Sequence, residues 1–209
     1  MRFLICLMIF ALPATAQPHR SGVFDYYVLS LSWSPNWCAY KGDRQGADQC
    51  HTRHDYGWIL HGLWPQYHRG WPQYCETAHA PPSSAMKQSM VDIMGSTGLA
   101  QHQWKKHGVC SGFSAQAYFD LSRKAYDRVR RPAVFRKLDR SVRLPALVIE
   151  DAFLQANPAI DADGITITCR HNYIQEARIC LGRDLKPVTC GQDVIRDCTS
   201  QNALFEPVR

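Results

Sequence analysis

The chain has 209 residues, with 24 Lys and Arg against 18 Asp and Glu, a formal net charge of +6 and 45% hydrophobic residues. That is enough apolar material for one sizeable core. The basic residues are spread along the chain, which favours a globular protein over one with a basic arm. After the N-terminus no stretch approaches the roughly 18 apolar residues of a membrane span, which excludes a spanning helix there.

Met1 to Ala16 carries Arg2, the apolar run Phe3 to Leu12, and Ala14-Thr15-Ala16. This is the pattern of a secretory signal peptide cleaved after Ala16, leaving residues 17–209 as the mature domain. Cys6 leaves with it, so the nine cysteines become an even set, which in an exported chain argues for disulfides. Spacing alone does not choose among the pairings. No C-x-x-C pair occurs, which argues against a zinc site.

Phe24 to Trp33 is rich in β-formers and apolar at nearly every position, so it reads as a central strand buried on both faces. Ser34-Pro35-Asn36 ends it, and 38–56 is a polar loop. A second strand over about 57–61 delivers Trp58-Ile59-Leu60-His61-Gly62-Leu63-Trp64-Pro65, with His61 held where the strand stops. The stretch 65–82 reads as irregular surface structure, with Gly70, Trp71-Pro72 and Pro81-Pro82 as breakers. Tyr67, Trp71 and Tyr74 in it are read as packing aromatics in preference to an extended base-stacking surface. His51, His54, His68 and His79 read as idle.

Ser83 to Met94 predicts a helix capped by Ser83 or Ser84, with Met86, Met90, Ile93 and Met94 as a core stripe. Gly95 and Gly98 separate it from Leu99-Ala100-Gln101-His102-Gln103-Trp104-Lys105-Lys106-His107-Gly108-Val109-Cys110. On a helix, His102, Gln103, Lys106 and His107 share an arc of roughly 140°, while Trp104 lies on another side and anchors the helix. Ser114 opens a helix over Ala115 to Arg130, with Tyr118, Leu121, Ala125 and Val129 on one face. Leu144 to Asn157 predicts another. Asp161-Ala162-Asp163-Gly164 is a turn, since the later acidic ligand of a calcium loop is missing. Ile165 to Arg170, Gln175 to Leu181 and Val194 to Cys198 predict strands, and the tail from Thr199 carries no pattern.

Two histidines can act as acid and base at one pH, and a lysine with amide donors suits charge building on a phosphoryl oxygen. Phosphodiester cleavage is the chemistry this set fits. RNA brings its own nucleophile, the 2′-OH, so no metal is needed.

Both histidine segments resemble the two active-site signatures of the ribonuclease T2 family of secreted endoribonucleases. The first reads aromatic-x-aliphatic-His-Gly-Leu-Trp-Pro and is matched throughout by Trp58 to Pro65. The second reads His-Glu-Trp-x-Lys-His-Gly-x-Cys and is matched by His102 to Cys110 except at Gln103, an uncharged amide that cannot shuttle a proton.

The resemblance implies one α+β domain, a central antiparallel sheet packed with several helices and stapled by disulfides. It makes His61 the general acid, His107 the base, Lys106 the stabiliser of the phosphorane, Gln103 a hydrogen-bond partner and His102 a phosphate contact. Trp64 would stack the first base, and Gln66, where several members have a carboxylate, implies weak base preference. It pairs Cys75 with Cys110, Cys169 with Cys198 and Cys180 with Cys190, leaving Cys38 with Cys50. It further implies a monomer in the periplasm or outside the cell that needs no cofactor or metal, cleaves single-stranded RNA, spares DNA and binds no membrane after signal removal. Two other readings compete: a relative with the same scaffold and little catalysis, resting on Gln103, and a metal phosphoesterase, disfavoured because His102 and His107 lack acidic co-ligands.

Overall fold

The apolar run after Phe24 becomes β1 (Tyr26–Trp33), every residue of which is buried. A strand so placed needs a neighbour on each edge and cover on each face. Its neighbours are β2 (Trp58–Gln66) and β5 (Tyr173–Leu181), both antiparallel to it. The computed structural model describes residues 19–209; the signal peptide expected over 1–16 lies outside the described residues.

The sheet has six strands in the order β2-β1-β5-β6-β3, with β4 (Ile165–Arg170) paired to β5 as a hairpin. The short strands β3 (Val142–Leu144) and β6 (Ala203–Phe205) pair antiparallel, and β6 touches β5 in parallel at Tyr173 and Leu204. Among the described residues six α-helices surround it: α1 (Ser34–Trp37), α2 (Ser84–Gln88), α3 (Val91–Met94), α4 (Thr97–Lys106), α5 (Ala115–Arg128) and α6 (Ala146–Ala156). The core joins sheet residues such as Leu29, Leu31, Leu60 and Ile179 to Tyr118 and Phe119 of α5 and Ile149 and Phe153 of α6. Tyr118 also donates its hydroxyl to the carbonyl of Leu63 at 3.0 Å, which fixes α5 to β2.

All four disulfides form as the family resemblance implied: Cys38–Cys50, Cys75–Cys110, Cys169–Cys198 and Cys180–Cys190. The α+β class with a mainly antiparallel sheet holds as well.

Several boundaries differ from expectation, each for a local reason. The helix expected over Ser83 to Met94 begins as foreseen, with the Ser83 hydroxyl accepting from Met86 N. It divides at Ser89, whose hydroxyl turns back to the carbonyl of Met86 and competes with the ladder. Gly98 lies inside the first turn of α4, which Ser96 caps by accepting from Leu99 N. Leu144 is strand, because a residue before proline is pushed into the extended region, and α6 starts only after Pro145.

Val194 to Cys198 is no strand. Val194 and Ile195 close a turn onto the carbonyl of Gly191, and the Thr166 hydroxyl takes the N–H of Arg196, so Cys198 N to Ile167 O is the one ladder-like bond of that stretch. The patternless tail supplies β6 instead. Phe205 stacks on Trp33 with centroids 4.5 Å apart, and Asn36 clasps the backbone of Ile174, Leu204 and Glu206.

Candidate active site

Strand β2 does not stop at His61. The register with β1 pairs Ser30 with Gly62 and Leu31 with Leu60, which makes His61 the extra residue of a β-bulge. A bulge leaves one residue out of the ladder and re-aims its side chain. The strand can then run on through Pro65 because β2 is a sheet edge, where a missing N–H costs no ladder bond.

Released in this way, the imidazole reaches sideways over β1. Its Nδ1 meets Oε1 of Glu176 on β5. The middle strand permits this because it places Ser32 beside Glu176 and Ser30 beside Arg178, two small side chains on the crossing path. Glu176 is buried, and its Oε2 accepts from Arg178 at 2.9 Å (Nε) and 2.7 Å (Nη2). Burial alone would raise this carboxyl; the charges and hydrogen bonds of His61 and Arg178 outweigh it and bring it down to about 2.

The helix α4 brings the other half. Trp104 buries against Tyr118, ring centroids 5.9 Å apart, and so turns the opposite side of α4 to the cleft. Gly108 permits that packing, since a Cβ there would overlap the rings of Trp104 and Tyr118. His107 caps the helix, its N–H donating to the carbonyl of Gln103 at 2.9 Å. The C-terminal end of α4 is pinned twice, by Tyr74 N donating to the carbonyl of Lys106 and by the Cys75–Cys110 disulfide.

Trp64 joins the halves. Its indole lies edge-on to His61 at 5.3 Å and stacked with His107 at 5.2 Å and 23°. Its Nε1 donates to Oε1 of the buried Gln103 at 2.7 Å, and the guanidinium of Arg178 lies 5.4 Å from the ring centroid. Burial, followed by the charges of Lys106, His61 and His102, pushes the imidazole of His107 down to about 3, so it is neutral at ordinary working pH. Among the described residues its Nδ1 is buried without a hydrogen-bond partner. His102 is likewise lowered, by partial burial and then by Lys106 and His61.

Gly62 is a requirement of this geometry. A Cβ there would overlap the side-chain oxygen of Gln103 and the indole nitrogen of Trp64. We expect Gly62→Ala to lower kcat/KM on RNA by about tenfold or more, because a small misplacement of reacting groups is costly. Steady-state rates alongside circular dichroism of the folded variant check this.

The seven residues marked in the sequence, His61, Trp64, Gln66, His102, Gln103, Lys106 and His107, all line one cleft of about 430 Å³. The sequence reading missed Arg170, Glu176, Arg178 and Asp193, which line it too, and of the two roles it weighed for Trp71, packing or a base-stacking surface, it preferred packing, whereas the residue lines the cleft. The signal available was the alternation Glu176-Ala177-Arg178 inside an apolar strand, where a charged residue on a buried face needs a partner. A second cleft of about 380 Å³, lined by Trp37, Tyr40, Ile59 and Leu99, lies beside the first and shares His61, Arg170, Gln175 and Glu176 with it. Among the described residues, His51, His54, His68 and His79 line neither cleft.

Comparison with known proteins agrees with this geometry. A family model described as "Ribonuclease T2 family" matches residues 24–190. A ribonuclease of Aeromonas hydrophila is 33% identical over 200 residues, covering 91% of this chain and 89% of that protein, and ribonuclease I of Escherichia coli is 23% identical over 80% of this chain and 79% of its own. Among solved structures, an RNase-related protein from Calystegia sepium superposes with a TM-score of 0.67 at 18% identity over 91% of this chain and 98% of that one. RNase NT, solved in complex with 5′-AMP, gives 0.62 at 19% over 88% and 99%. Two imidazoles packed on one indole, carried by both signatures of that family on its fold, make this chain an RNA-cleaving endoribonuclease of the ribonuclease T2 family.

Proposed function

We propose that the enzyme cleaves single-stranded RNA by metal-independent transphosphorylation, with His61 as general acid and His107 as general base. The observation that carries the reading is the placement of both rings against Trp64 in one cleft, His107 held neutral and His61 paired to a carboxylate. Neutral His107 takes the proton of the 2′-OH. The 2′-oxygen bonds to phosphorus, the P–O5′ bond breaks, and His61 gives its proton to the leaving oxygen. The 2′,3′-cyclic phosphate is then opened by water with the two roles exchanged, leaving a 3′-phosphate.

Lys106 and His102, a helical turn apart, face the phosphoryl oxygens where charge builds. Gln103 spends its oxygen on Trp64, so its amide N–H groups remain as neutral donors where most of the family has a carboxylate. A base rests against Trp64 and Trp71 near Gln66; aromatic walls without a motif carboxylate favour low base specificity. The two adjoining clefts give a nucleoside room on each side of the scissile phosphate, and 5′-AMP bound by RNase NT supports nucleotides as the ligand class. Residues 1–16 act as a signal peptide, so the monomeric enzyme works in the periplasm or outside the cell, where its disulfides persist.

Digesting mixed-sequence RNA and DNA with the purified protein in EDTA tests the reading. Expected are RNA fragments ending in 2′,3′-cyclic phosphate and later 3′-phosphate, with DNA untouched because it lacks the internal nucleophile. Ends bearing 5′-phosphate, or activity abolished by EDTA and restored by a metal, would overturn it.

A further inference from the structure

We propose that Glu176, clamped by Arg178, is the positioning residue for His61: it holds the ring with its proton on Nδ1 and its Nε2 toward the scissile phosphate. The proposal rests on the reading of His61 as the general acid.

The geometry is unusual for a structural ion pair. A bulge residue is the least constrained position in a strand, since it has lost its ladder partners, yet His61 is the residue that must be aimed. What aims it comes from two strands away. Glu176 spends one oxygen on His61 Nδ1 and the other on Arg178, so its carboxylate cannot swing without losing a charged partner. With Glu176 98% buried, a carboxylate left without those partners would be strongly disfavoured. Arg178 in turn lies near the indole of Trp64, which stacks with His107, so one charged chain connects the acid to the ring beside the base.

The chemistry asks for this arrangement. An imidazole that donates from Nε2 and later accepts at Nε2 must keep its other nitrogen protonated through both steps, and a fixed acceptor at Nδ1 does that. When His61 gives its Nε2 proton to O5′, it becomes the neutral Nδ1–H form without rotating, and its Nε2 lone pair stands ready for the proton of the attacking water. Positive charge comes toward this ring from Lys106 of α4, Arg170 and Arg178 of the sheet and Lys41 just after α1, while His102 of α4 and His107 at its end, both held away from protonation, face it as imidazoles. The anions are Glu176 in contact and Asp193 across the cleft. Glu176 is thus the anion in contact with the ring amid these charges.

The test compares Glu176→Gln, Glu176→Asp and Arg178→Met with the full-length wild type on a dinucleotide substrate. Glu176→Gln keeps the shape and removes the charge. Expected are a fall in kcat of roughly tenfold to a hundredfold with little change in KM, and an alkaline limb of the pH profile displaced to lower pH by about one unit or more. Glu176→Asp should recover part of the rate, and Arg178→Met, which loosens the carboxylate but leaves its charge, should lower kcat less than Glu176→Gln and leave the alkaline limb no lower than in the wild type, since losing a cation favours the protonated ring.

A purely structural role would lower the folded fraction and leave the profile where it was. Nitrogen-15 NMR of the wild-type His61 ring at a pH above the alkaline limb gives a second reading that does not depend on any variant folding. A proton on Nδ1 is expected; the Nε2–H tautomer would overturn the proposal, as would Glu176→Gln with wild-type rate and profile. Loss of activity in His61→Ala together with either of those results rejects the role of Glu176 alone, whereas an active His61→Ala rejects the reading beneath it.

Discussion

Replacing His61 or His107 by alanine is expected to lower kcat/KM on RNA by roughly 10²- to 10⁴-fold each, with the two losses far from additive, because an acid and a base that serve one displacement act as a unit. The two variants should differ in a way that assigns the roles. A substrate whose 5′-nucleoside is replaced by p-nitrophenol has a leaving group that departs without protonation. On it, His61→Ala should recover most of its lost rate, while His107→Ala should not, since the 2′-OH still has to be deprotonated. Folding is a separate question. His107 packs against Trp64 at the end of α4, whereas His61→Ala leaves Glu176 buried with Arg178 as its remaining charged partner. Thermal melts therefore belong beside the kinetics, with the larger drop expected for His61→Ala. A folded variant of either residue that keeps more than about a tenth of wild-type activity removes that residue from its role.

That both histidines could be marked from the chain alone has a physical reason. Each sits in a segment whose neighbours also serve the site: Gly62 for close approach, Trp64 for the indole, Gln103 and Lys106 one helical turn from their partners. The chemistry is local in sequence, so it is written there. The strand β1 was legible for a similar reason, because burial on both faces leaves an unbroken apolar run.

What escaped is nonlocal. Glu176 lies 115 residues from His61, and the alternation Glu176-Ala177-Arg178 marks a charge that needs a partner without saying which residue supplies it. Only the register of β1, with Ser30 and Ser32 leaving room, brings them together. His61 itself was placed at a strand end because a glycine next to a polar residue reads as a stop, whereas the structure uses the same pair to build a bulge. The tail failed in the same way. Three residues of β6 are too few for a periodic signal, and their place is set by Trp33 and Asn36, more than 160 residues earlier.

Lys106→Ala should produce two separable losses. The first is in the rate. An ammonium aimed at the phosphoryl oxygens acts where charge grows in the transition state, and removing one such donor costs on the order of 10²- to 10³-fold in kcat. Lys106→Arg keeps the charge on a planar, more extended group and should recover part of that rate, since a point charge and a fork do not reach the same oxygens. The second loss concerns pH. After burial, Lys106 is the largest influence holding His107 down at about 3. Without that charge the imidazole protonates more readily, so the acid limb of kcat/KM, where the base becomes occupied, moves to higher pH in Lys106→Ala and stays near its original place in Lys106→Arg. The direction follows from sign alone: a neighbouring cation opposes protonation, and its removal extends the range over which the base is blocked. A uniformly lower profile with an unmoved acid limb would mean that the lysine serves the phosphate without touching the base. A rate within about threefold of wild type and an unmoved limb would make Lys106 a solvated helix end, and the charge on the phosphorane would then fall to His102 and Gln103.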